Sequence, residues 1–111
     1  MAELNVFKTV TKTINTSNQT IYTAPSSYTG IVLSTQIANA SDSDATLTFT
    51  YQDSASASAV ELLYQFDIPS NDAANGTMGK LVVSSNGILK MVSNKDNKLK
   101  LVMGILESLN G

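Results

Sequence analysis

From Ala45 to Tyr51 the chain alternates without interruption. Ala45, Leu47, Phe49 and Tyr51 fall on one side of a period-two pattern, and Thr46, Thr48 and Thr50 on the other. Successive side chains of an extended strand point to opposite faces, so this run predicts a strand with one buried and one solvated face. A second run repeats the pattern. Val60, Leu62, Tyr64, Phe66 and Ile68 are expected to face inward, and Glu61, Gln65 and Asp67 outward. Leu63 breaks that outer face and marks a contact surface. Half-buried strands with no long helical pattern fit two antiparallel sheets packed face to face. The predicted fold class is therefore all-β: an antiparallel β-sandwich, jelly-roll-like, of about eight short strands.

The remaining segments fit that frame. Residues 4–14 are rich in Val, Thr and Ile and predict an edge strand. Residues 20–24 form a short strand stopped by Pro25, which has no N–H to give a ladder. Residues 30–39 read as a buried strand with Ile31, Leu33 and Ile37 on one face, and 41–44 as a turn. The Ala/Ser stretch 53–59 and residues 70–79 are loops. Three more strands are expected at 80–84, 88–93 and 98–108, with Asn86-Gly87 as a type I′ hairpin turn. In the last of them Leu99, Leu101, Met103 and Ile105 share a face, opposite Lys98 and Lys100. All 111 residues are expected in a single domain, 1–111, with 1–17 as an N-terminal arm or edge strand.

Composition removes most chemistry. Cysteine and histidine are both absent, so disulfides, ordinary zinc, copper or iron sites, and histidine-based acid–base or nucleophile systems are excluded. Asp42 and Asp44 alternate as calcium-loop carboxylates do, but they lack the glycine that such a loop needs at its sixth position, and they read as turn residues. Nucleotide-binding and nucleophile-elbow motifs are missing. The chain is expected to be no enzyme and to hold no cofactor. Arginine is absent, the net charge is −2 and the pI is about 4.8, which argues against nucleic acid as a partner. No apolar run approaches the length of a membrane span, and the first residues lack the pattern of a signal peptide.

What remains is a protein that works by contact. Charged residues are only 14% of the chain, well below the usual share of about 25%. The resulting Ser-, Thr- and Asn-rich surface suits packing against neighbouring subunits. Residues 1–79 carry two lysines against seven acids, and residues 80–111 five lysines against two acids, a division that suits electrostatic complementarity between copies or with a partner. Candidate contact residues are Tyr28 in the proline-containing loop, Leu63, and Val6 and Val10 on the N-terminal strand, a segment able to complete its own sheet or a neighbour's.

Two groups of segments carry a family likeness. One is Ile21-Tyr22-Thr23-Ala24-Pro25, then Ile31-Val32-Leu33-Ser34 and Gln36-Ile37-Ala38-Asn39. The other is Gly79-Lys80-Leu81-Val82-Val83, then Leu89-Lys90-Met91, and Leu99 to Glu107. Their order resembles small β-sandwich virion structural proteins of tailed bacteriophages, particularly phages of cyanobacteria. At Ser85-Asn86-Gly87 the chain departs from the Gly-Asp usual there, a swap that keeps the turn and changes its charge. The resemblance implies a non-enzymatic part repeated on a phage particle. Capsid decoration, or cementing, is the first reading, and a neck, tail or fibre-adaptor protein the second. Its implied partners are copies of itself and other virion proteins (the major capsid protein, or tail and neck proteins), with no nucleic acid and no membrane. Its implied place is the virion, after synthesis in the host cytoplasm. A stand-alone carbohydrate or adhesion module is the alternative, against which the absence of Trp counts.

Overall fold

In the computed structural model, which describes residues 5–75 and 80–109, every regular element is a strand. In chain order these are β1 (Asn5–Ile14), β2 (Gln19–Thr23), β3 (Tyr28–Asn39), β4 (Ala45–Gln52), β5 (Val60–Ile68), β6 (Asp72–Asn75), β7 (Leu81–Val83), β8 (Ile88–Ser93) and β9 (Leu99–Leu109). The first sheet places β1, β9 and β3 side by side, and both β6 and β7 pair with the far side of β3. The second sheet runs β2-β8-β4-β5. Every pair is antiparallel. β1 packs against β2 and β5 against β6, so the two sheets stack as a sandwich with those edges aligned.

The core lies where alternation places it. β9 sends Leu99, Leu101, Met103 and Ile105 inward, and β4 answers with Ala45, Leu47 and Phe49. Leu89 and Met91 of β8, with Val32 and Ile37 of β3, close the space between the sheets. Burying a side chain of this size contributes about 1.5–3 kcal/mol. A buried asparagine holds one end of the sandwich. Asn39 Nδ2 donates to the carbonyls of Ser43 and Ile68, each at 2.9 Å, tying the end of β3 to the following turn and to the end of β5.

Bulges shift the faces of two strands away from their sequence pattern. In β3, Val32 and Ser34 oppose the consecutive residues Ile105 and Gly104, so Leu33 is an extra residue. The inward phase therefore passes from Gly30 and Val32 to Thr35, Ile37 and Asn39. Ile31 turns to the outer face and Leu33 is exposed; the expected grouping of both with Ile37 does not hold. In β5, Leu63 pairs with Phe49 and Phe66 with Leu47, leaving Tyr64 and Gln65 opposite the single residue Thr48. Gln65 takes up the excess at φ 47°, in the left-handed region that side chains rarely adopt. Leu63 consequently packs half-buried against the core, and Tyr64, expected inside, is 67% exposed.

Two loop expectations also change. The segment 70–79 contains β6, which pairs with the end of β3; residues 76–79 lie outside the described residues. Asn86-Gly87 does not close a hairpin, because β7 belongs to the first sheet and β8 to the second. The turn instead carries the chain between sheets, with Gly87 N donating to Ser84 O at 2.7 Å and Asn86 at φ 67°. A Cβ on Gly87 would meet the Ser84 carbonyl oxygen at 2.8 Å, so the crossing requires glycine.

Candidate interaction surface

The inward row of β9 ends in a carboxylate. Glu107 follows Ile105 in phase and is only 2% exposed. Tyr22, on β2 of the facing sheet, donates its hydroxyl to Glu107 Oε2 at 2.5 Å. The Lys8 ammonium, reaching from β1, lies 3.1 Å from Oε1. Gly30 makes room for the ring, since a Cβ there would lie 2.8 Å from the Tyr22 hydroxyl oxygen. Burial first, then the hydrogen bond to Glu107 and its charge, push the Tyr22 hydroxyl well above its ordinary pKa. Both carboxylate oxygens are occupied, and the group joins β1, β2 and β9. Its chemistry is that of a clamp between sheets.

Among the described residues no cluster of three or more acidic side chains stands where it could hold a metal ion. Asp42 and Asp44 are exposed, and Asp44 Oδ1 accepts the Ser70 N–H at 3.1 Å, as a turn residue does. Surface depressions lie along 11–13 with 100–102, and along 38–40 with 71–73. The first brings Lys12 and Lys100 beside Thr11 and Thr13, and the second brings Asn39, Asn71 and Asp72 together. Among the described residues no helix is long and apolar enough to cross a membrane.

The outer face of the first sheet is the distinctive surface. Phe7 of β1 stands opposite Leu106 of β9, Leu106 opposite Ile31 of β3, and Ile31 opposite Val82 of β7. Residues directly opposite share a face, so these four form an apolar row across four strands. Its ends are open, with Phe7 76% and Val82 58% exposed. Exposed Leu33 and Val102 lie on strands of the same sheet. Exposed apolar side chains on one face make it the candidate contact surface.

The sequence-predicted contact residues are not brought together. Tyr28 opens β3, half-buried, and its carbonyl accepts the Ser85 hydroxyl at 2.5 Å. Val6 and Val10 occupy the inward phase of β1, Val10 packed on the core, while that strand pairs with β9 of its own chain over its whole length. Leu63 belongs to the core side of β5. The sequence carries only part of the signal for the row on the first sheet: Val102 and Leu106 occupy the phase of β9 that its core residues leave free. Register, which aligns Leu106 with Phe7, Ile31 and Val82, has no local signal.

Solved structures contain the same sandwich. The chain is similar to one in the acidic stable capsid structure of Helicobacter pylori bacteriophage KHP30, at 12% identity and a TM-score of 0.56, over 100% of this chain and 92% of that one. It is similar also to a chain in the crystal structure of the T13 IBDV viral particle, at 9% identity and a TM-score of 0.58, over 96% of this chain and 31% of that one. No protein-family model matches the chain, and no curated protein matches it in sequence. At these identities the likeness is one of fold.

Proposed function

We propose that this chain is a structural protein of a phage particle and, more closely, a decoration protein seated on the capsid shell. The end-to-end likeness to a phage capsid chain carries the reading. Coverage of 100% of this chain and 92% of that one means that the sandwich by itself makes up nearly all of that capsid component. The apolar row then serves as the docking face. Phe7, Leu106, Ile31 and Val82 would lose water against the shell at about 25 cal/mol per Å² of apolar area removed. Thr9 and Ser34, on the same face beside Gly104, offer hydroxyls to the rim of such a contact. No step of chemistry is required of any side chain.

The test is copy number, measured by quantitative mass spectrometry on purified particles of the virus that encodes the chain. On the order of hundreds of copies is the expected result for a protein repeated over an icosahedral shell. Roughly three to twenty copies would move the protein to the neck, tail or fibres, where closed rings and trimers set the count. Absence from the particle would overturn the virion reading.

A further inference from the structure

The two long sides of the sandwich carry opposite charge. On one side, β1 is the edge of the first sheet and packs against β2, the edge of the second. β1 holds Lys8 and Lys12 and no acid, and β2 holds no charge. On the other side, β5 is the edge of the second sheet and packs against β6 of the first. Those two strands hold Glu61, Asp67 and Asp72 and no base. Lys12 and the three acids are exposed, and among the described residues the one ion pair is Lys8 with Glu107. Each of these edge strands also carries an exposed aromatic ring, Phe7 on β1 and Tyr64 on β5.

We propose that copies of the chain associate side to side, the β1 edge of one against the β5–β6 edge of the next. Like edges repel: β1 against β1 sets lysine against lysine, and β5 against β5 sets acid against acid. The contact is therefore heterologous, the kind that closes into a ring or runs on as an open array. Side chains make it, because the bulges of β5 and the positive φ of Gln65 deny that edge a straight hydrogen-bonded ladder. The inference stands on the chain's own two edges and holds whether or not the virion reading does.

Sedimentation velocity of the full chain at low ionic strength reads the association. The wild type is expected to associate, and to do so less as salt screens the edges. Lys12→Glu and Asp67→Lys should each weaken association by about tenfold or more, since each sets like charge against like. An equal mixture of the two variants should restore it, because each altered edge then meets its complement and so does each unaltered one. Both positions are exposed, so far-UV spectra should match the wild type. Should either reversal fail to fold, Lys12→Gln and Asp67→Asn should each weaken association by a smaller factor, since each removes one charge of the pair. A wild type that stays monomeric, single variants that associate as the wild type does, or a mixture that stays apart would overturn the proposal.

Discussion

Glu107 shows how one residue can join two sheets. Its carboxylate is buried in line with the apolar row of β9, yet Tyr22 and Lys8 satisfy both oxygens. Glu107→Ala strands the Tyr22 hydroxyl in the interior, while Lys8, half-exposed, turns to water. The expected loss is about 1–3 kcal/mol in urea unfolding, and less for Glu107→Gln, which keeps an acceptor. The same cluster predicts an alkaline limit. The native Tyr22 keeps its proton where the unfolded chain has released it, so the folded state binds more protons there. Stability is complete below the ordinary tyrosine value, about pH 10, and falls as pH rises beyond it. Tyr22→Phe should flatten that decline; unfolding midpoints between about pH 8 and 11 with an unchanged slope would refute the assignment.

At the scale of the element, β5 departs furthest from its sequence. Strict alternation puts Leu63 outside, where Leu63→Lys would spare the fold and weaken assembly. The bulge at Tyr64 and Gln65 instead turns Leu63 toward Phe49 and the core. Leu63→Lys is accordingly expected to lower stability by roughly 1–3 kcal/mol, visible as a reduced melting temperature before any assembly is measured. An unchanged melting temperature would return Leu63 to the outer face. β3 carries the same lesson in milder form: one extra residue, Leu33, separates Ile31 from Ile37. β4 and β9 keep their predicted inward faces, Ala45-Leu47-Phe49 and Leu99-Leu101-Met103-Ile105.

At the scale of the whole molecule, face and edges differ in chemistry. The outer face of the first sheet offers apolar surface, and the two sides offer charge. On the proposed reading, the face would meet the shell and the sides the chain's own copies. The paired substitution Phe7→Asp and Val82→Asp alters two exposed ends of the apolar row and touches no fully buried side chain. It should leave the melting temperature within about a kcal/mol equivalent of the wild type. Binding to particles lacking the protein should fall by at least tenfold in a co-sedimentation assay. Retained binding would remove this face from the interface.

The sequence by itself determined the class of fold, most of the strands, and the inward faces of β4 and β9, because period two is a property of one strand's own backbone. Its lack of histidine and cysteine is likewise read from composition alone. Only the tertiary structure decided that Asn86-Gly87 crosses between sheets, that Leu63 turns inward, and that residues 7, 106, 31 and 82 stand in one row. Each depends on a partner strand: a bulge records a mismatch in length between neighbours, and register records which residues of distant segments come to lie opposite.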